Sequence, residues 1–336
     1  MKLVSVACLA LLSVAPFVAS KPVCRPRIAS SEPNVSAQPF NQANEEEEIV
    51  NQVNDQAAEQ PKVADPEYSP PEQGETAPPA ETEKAASQAP GHQESASAKG
   101  GMPLTFEEGA ICSSDWKASR YSGKKQVSVL NENALKVTYP SGSYKSPGTG
   151  GFQFVASPIA ENDEMTLRYS IDVPADFDFN KGGKLPGLKA GDMRSGGNQK
   201  GLGITGTSLR LMWRADGDME VYAYAPIEEG GEVDSLPDCH VNTAYGTSLM
   251  RGRTKLIRGQ KNDIVLYAKM NDPGKANGIV RLSVNGEEAS MDIVTLRKTA
   301  SLKLDGIFFS TFFGGGTADW ATPREQALTF SSFSIE

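Results

Sequence analysis

Histidine is nearly absent from this 336-residue chain, which contains only His92 and His240. A Ser-His-Asp device would have to use one of them, and no G-x-S-x-G elbow accompanies either. His240, beside Cys239, reads as a satisfied loop histidine rather than a general base. Cysteine is scarce as well: there are four, with no C-x-x-C pair, so the spacing of a structural zinc site is missing. The chain has no G-x-x-x-x-G-K-[ST] phosphate loop, no basic stripe and no RNA-binding signature, which sets nucleic acid aside as a partner. It also lacks long helical periodicity and internal repeats. After Val18 no run is apolar enough to cross a bilayer.

What is present divides into three parts. Met1-Lys2, an apolar run from Leu3 to Val18, and small residues up to Ser20 describe a secretory signal peptide over residues 1–20. The mature protein is therefore expected outside the cell, free of the membrane and monomeric. Residues 21–102 are rich in Pro, Glu, Gln, Ala and Ser, with the acidic run Glu45 to Glu48 and pieces such as Ser69-Pro70-Pro71-Glu72. Such a segment cannot bury enough apolar area to offset its ordering entropy, so a disordered linker is expected. Asn34-Val35-Ser36 is a glycosylation sequon in a fitting context. The formal charge of −9 belongs mostly to the leader and tail, because residues 103–336 hold 26 Lys and Arg against 28 Asp and Glu. A near-neutral domain does not exclude a polyanionic substrate.

Residues 103–336 suit one all-β domain. Short strand-like runs (Ala134–Tyr139, Glu164–Val173, Asp263–Met270, Gly278–Val284, Gly306–Phe312 and Ala327–Ile335) are separated by Gly, Pro, Asn and Asp clusters, with an Asn285-Gly286 turn. The pattern predicts an antiparallel β-sandwich of jelly-roll type. Cys8 leaves with the signal and Cys24 lies in the tail, so Cys112 and Cys239 are the pair expected to form a disulfide in an oxidising compartment.

The stretch Ser208 to Tyr224 organises this domain. Two strand-like runs flank Ala215-Asp216-Gly217, which reads as a three-residue hairpin loop with Gly217 in the left-handed region. That loop pairs Arg214 with Asp218, Met212 with Glu220, Arg210 with Tyr222 and Ser208 with Tyr224, and places all eight side chains on one face. The face is too polar for a core and reads as the floor of a cleft. A two-residue loop would slip the register and turn arginine and tyrosine to opposite faces. Asp216, Asp218 and Glu220 invite a glycosidase reading, but Asp216-Gly217 serves the turn, leaving Glu220 to orient Arg210 or tune a tyrosine. Upstream, Gly182-Gly183-Lys184-Leu185-Pro186-Gly187-Leu188 holds a lysine in a shaped segment where backbone can approach a ligand closely. A solvated surface lysine is the competing view of the same residues, as a buried structural pair is for Tyr222 and Tyr224.

These motifs, followed by Ser248-Leu249-x-Arg251-Gly252 and Phe309-Ser310-Thr311-Phe312-Phe313-Gly314-Gly315, occur in an order that resembles polysaccharide lyase family 14, the alginate and glucuronan lyases. The resemblance runs from about Leu104 to the C-terminus. It implies a β-jelly roll, a β-elimination on an acidic polysaccharide, and catalytic roles for Lys184, Ser208, Arg210, Tyr222 and Tyr224. Arg214, Glu220 and Arg251 are expected to contact substrate. One departure is the Gly- and Ser-rich connection from Lys189 to Thr207, which lacks the cysteines of some secreted members. The chemistry fits the residues: removing the C5 proton of a uronate puts negative charge on its carboxylate, which a cation stabilises. A phenol near cations is pushed toward its ionised, basic form. No metal or cofactor is called for. A non-catalytic carbohydrate-binding jelly roll is the alternative, and a structural wall protein a third.

Overall fold

The computed structural model describes residues 101–192, 202–242 and 245–336. The expected leader, the sequon, Cys8, Cys24 and all of the expected linker up to residue 100 lie outside these residues, whereas Met102, expected at the linker's end, already opens a strand. Alternating burial along each run sets the architecture. In Ala134–Tyr139, for example, Leu135, Val137 and Tyr139 are buried while Lys136 faces water, the period-two pattern of a strand with one face in a core. No α-helix occurs among the described residues, and no helix there is long and apolar enough to cross a membrane.

Two eight-stranded antiparallel sheets make the expected jelly-roll sandwich. In the first, the order is Glu287–Val294, Gly278–Val284, Gln260–Lys269, Glu164–Val173, Gln326–Ile335, Ala134–Tyr139 and Val127–Asn131, with Met102–Leu104 also paired to Gln326–Ile335. The second runs His240–Asn242, Gly246–Leu249, Met219–Tyr224, Gly206–Arg214, Gly182–Gly191, Leu304–Phe313, Phe152–Ala156 and Ala118–Ser122. Three of the six strands predicted from sequence have the expected bounds, two extend further, and the one expected over Asp263–Met270 spans Gln260–Lys269. Asn285 and Gly286, with φ of 54° and 87°, close a two-residue hairpin between Val284 and Glu287, the turn that suits the twist of its flanking strands.

The facing sides of the sheets form one apolar core, including Leu167, Ile171, Leu266 and Phe330 from the first and Leu188, Leu211, Trp213 and Phe309 from the second. Trp213 packs edge-on against Phe313 at 5.2 Å between centroids, and its indole N–H donates to Phe179 O at 3.0 Å. The Tyr169 hydroxyl crosses the core and donates to Pro186 O at 2.9 Å. The second sheet is thereby held by its inward face, leaving its outward face for other work.

The expected disulfide is not formed: Cys112 and Cys239 are separate thiols. Cys112 lies against Tyr121 of Ala118–Ser122, at one edge of the second sheet, and burial pushes its thiol up to about 12 despite the Tyr121 hydrogen bond. Cys239 immediately precedes His240–Asn242, at the opposite edge. Strand spacings of about 4.8 Å across that sheet exceed many times over the ~7 Å between Cα atoms that a disulfide tolerates.

Candidate active site

The hairpin has the predicted register: Ser208 pairs with Tyr224, Arg210 with Tyr222 and Met212 with Glu220, while Arg214 N–H donates to Asp218 O at 2.7 Å. Its loop differs in one respect. Asp216 is left-handed as well as Gly217, with φ of 59° and 88°. Asp tolerates that region better than most residues, and the Asp216 side chain is exposed at the tip.

The neighbouring strand brings the lysine. Met212 pairs with Lys184 and Ser208 with Lys189, so both lysines share the outward face although five positions separate them. Simple alternation would place them on opposite faces. A bulge resolves this: Leu209 pairs with Leu188 and Leu211 with Leu185, leaving Pro186-Gly187 as one extra residue beside Arg210. Proline fits there because it has no N–H to give to a ladder. Gly187 fits because a Cβ would lie 1.9 Å from Leu209 O and 2.6 Å from Arg210 Cα. Gly187→Ala should therefore force the two strands apart and cost about 3 kcal/mol, the upper part of the range for overpacking. A thermal midpoint equal to that of the parent chain would contradict this.

The outward face is polar yet closely packed. Ser208, Arg210, Lys184 and Tyr224 are buried and Tyr222 half-buried. The two cations and the two phenols pack against one another. The Arg210 guanidinium lies 5.0 Å from the Tyr224 ring centre and 4.5 Å from that of Phe308, and it is hydrogen-bonded to the Tyr224 side chain. Its Nη1 donates to Ser310 Oγ at 3.2 Å, and Ser310 in turn donates to Gln153 Oε1 at 3.0 Å. Burial lowers the Arg210 pKa, while the phenols of Tyr224 and Tyr222 act in the opposite direction. Arg210 Nε and Ser208 Oγ have no hydrogen-bond partner among the described residues. Buried polar atoms left in this state are costly unless something else satisfies them.

Lys184 Nζ stands 3.2 Å above the Tyr222 ring centre and 5.6 Å from that of Tyr224, and donates to Met212 Sδ at 2.9 Å. The two tyrosine rings meet edge to face at 5.5 Å. Gly246 makes room for them: a Cβ there would come within 2.9 Å of Tyr222 Cε1 and 3.1 Å of Tyr224 Cε1. Two cations and two phenols thus converge on one face. Ser248 pairs with Tyr222 and His240 with Ser248, so His240 occupies the same face two strands away, at the start of an edge strand rather than in the expected loop.

Glu220 does not orient Arg210, contrary to one sequence reading. Its carboxylate, fully buried, accepts from Arg214 Nη2 at 2.7 Å, from Arg251 Nε at 2.7 Å and from the Ser248 hydroxyl. Burial alone would raise its pKa, but the two guanidiniums and these hydrogen bonds lower it to about 2. Asp218 pairs with Lys255 at 3.3 Å outside this cluster. The Arg214 guanidinium lies 5.9 Å from the Tyr222 ring and 5.7 Å from that of Trp320. Ser310, Gln153, Phe308 and Lys189 were not picked out from sequence. Ser310 lies within the Phe309 to Gly315 motif, and its alternation with Thr311 is the available signal. No group of three or more His, Cys, Asp or Glu arranged to hold a metal occurs among the described residues.

A polar, cation-rich face on a jelly-roll sheet has the charge to hold an acidic carbohydrate. Comparison with known proteins agrees and narrows it: residues 128–333 match the model of polysaccharide lyase 14, and the chain belongs to that family. It is similar to the marine PL-14 alginate lyase of Aplysia kurodai, with 30% identity and a TM-score of 0.62 over 71% of this chain and 99% of that one. It also resembles the alginate lyase vAL-1 of Chlorella virus, with 26% identity and a TM-score of 0.57 over 66% and 93% of the two chains. Exolysin of Paramecium bursaria Chlorella virus 1 is 26% identical over 209 residues, 56% of this chain. The chain spans about a third of that relative's length (32%).

Proposed function

We propose that this chain is a secreted polysaccharide lyase that cleaves uronate-containing polysaccharide of the alginate or glucuronan type by β-elimination. The observation that carries the reading is the convergence of Arg210 and Lys184 on the Tyr222–Tyr224 pair. Secretion rests on the signal-like first twenty residues.

In the proposed reaction Tyr224, hydrogen-bonded to Arg210 and so favoured as phenolate, takes the C5 proton. The electron pair forms the C4–C5 double bond as the C4–O4 bond breaks, and Tyr222 gives its proton to the departing oxygen. Solvent then takes the proton from Tyr224 and returns one to Tyr222, restoring the phenolate of the first and the phenol of the second. Lys184 and Arg210 oppose the negative charge that grows on the C6 carboxylate, an interaction stronger in the transition state than before it. Ser208 Oγ supplies a hydrogen bond to that carboxylate. Two phenols side by side on one strand approach a sugar from one side. That suits removal of H5 and O4 from the same face, the relation found in D-mannuronate and D-glucuronate but not in L-guluronate.

The test is incubation with polymannuronate, polyglucuronate and polyguluronate while following ultraviolet absorbance of the new double bond. Absorbance should rise on the first two and be slowest on the third. No rise on any of them, with folded protein, overturns the reading. Arg210→Ala should lower kcat by about 10²–10³-fold, the range for removal of one preorganised charge-stabilising donor.

A further inference from the structure

On the same outward face, a depression of about 190 Å³ opens beyond the catalytic cluster, with Lys117, Ser119, Arg120, Val155, Ser157 and Lys189 among its walls. Its position follows from the ladders. Lys189 pairs with Ser208 on one side and Gly306 on the other, Val155 pairs with Phe308 and with Ser119. From the Ser208 strand to the Ala118–Ser122 edge is four strand spacings, about 19 Å in all at ~4.8 Å each, a path several sugar rings long. The catalytic residues and the depression are thus two stations on one sheet face.

Its lining holds three cations, Lys117, Arg120 and Lys189, against one carboxylate, Asp192. Lys189 is buried and paired with Asp305 at 2.8 Å. Lys117 gives its ammonium only to a neutral backbone oxygen, Pro158 O, at 3.2 Å. Arg120 pairs with Asp192 at 3.1 Å, with both side chains about half exposed. An ion pair so wet contributes little and exchanges readily for a better partner. Lys117 and Arg120 are both left-handed, with φ of 47° and 57°, a conformation that costs energy for a residue with a side chain and that recurs where chains grip ligands. Nothing in the elimination chemistry uses these three cations.

We propose that this depression is a second anion-binding pocket, which holds the carboxylate of a uronate residue one or more sugars removed from the bond that is cut. It rests on the lyase reading above and extends it: the pocket favours long chains over short ones. The test is a series of oligouronates of increasing length, assayed with the parent chain and with the K117A/R120A double variant, which leaves the Lys189–Asp305 pair intact. For the longest substrates KM should rise about 10-fold with kcat unchanged, while the shortest cleavable oligomer should show no change. The K117R/R120K variant should restore most of the loss. An unchanged KM on long chains, or an equal rise on short and long ones, overturns the pocket.

Calorimetric binding of a long oligouronate to the Tyr224→Phe chain, with and without K117A/R120A, reads the pocket independently of turnover. Weaker binding in the triple variant supports the pocket even if no polyuronate is cut, whereas equal binding refutes it even if cleavage is fast. Inorganic phosphate, titrated alongside, should bind the pocket more weakly than the oligomer. Equal affinity would reassign it to a free anion.

Discussion

Tyr224→Phe is expected to lower kcat on polymannuronate by about 10²–10⁴-fold, the range for loss of a positioned acid–base group, with little change in KM. The reason is local. Among the two phenols, Tyr224 is the more buried and is hydrogen-bonded to the Arg210 guanidinium, whose charge favours an ionised phenolate. Removing one oxygen leaves the ring contacts with Tyr222 and Arg210 in place, so the circular dichroism spectrum should match that of the parent. Lys184 stays over the Tyr222 ring in this variant. If Tyr222→Phe abolishes turnover and Tyr224→Phe does not, the two roles are reversed. If both variants keep near-full activity, the elimination assigned to this face is wrong.

Glu220→Ala is expected to destabilise the chain by about 3 kcal/mol. That is the lower end of the cost of removing one partner from a buried ion pair, because Arg214 and Arg251 keep some access to water, with side chains 14% and 24% exposed. A shift of that size should lower the thermal midpoint by roughly 6–12 °C for a domain of this length. The same carboxylate gives a pH signature. Its pKa is depressed in the folded chain from 4.5 to about 2, so its contribution to stability is fully present above about pH 4.5 and is lost as the pH falls through about 2. Denaturant midpoints measured across that window should fall steeply for the parent chain and more gently for Glu220→Gln. Parallel curves would show that the carboxylate is not held by its two arginines in solution.

The hairpin was legible in the sequence because its determinants are local. Alternation fixed which side chains share a face, and Asp216-Gly217 fixed where the chain turns, so the four-pair register followed without knowledge of any distant strand. Lys184 was legible only through its motif. Its face depends on the extra residue at Pro186-Gly187, and a bulge is chosen jointly with the strands on either side. Lys189 was missed for the same reason: counted by twos from Lys184 it belongs in the core. The Cys112–Cys239 expectation failed because counting cysteines carries no information about which edges of a sheet they occupy. Glu220 was assigned to Arg210 within its own hairpin, whereas two of its three bonds go to Ser248 and Arg251, reached through a strand whose pairing no local pattern announces.

The bulge at Pro186-Gly187 also bears on how this site can change over time. Exchanging one side chain for another leaves every other group pointing where it was, but deleting or adding a single residue between Leu185 and Leu188 would drive one of the two flanking lysines into hydrocarbon and bring a leucine out to water. Variation in length, the ordinary currency of loops, is closed to this segment, so drift in specificity has to proceed here by point replacement or at the ends of the strand.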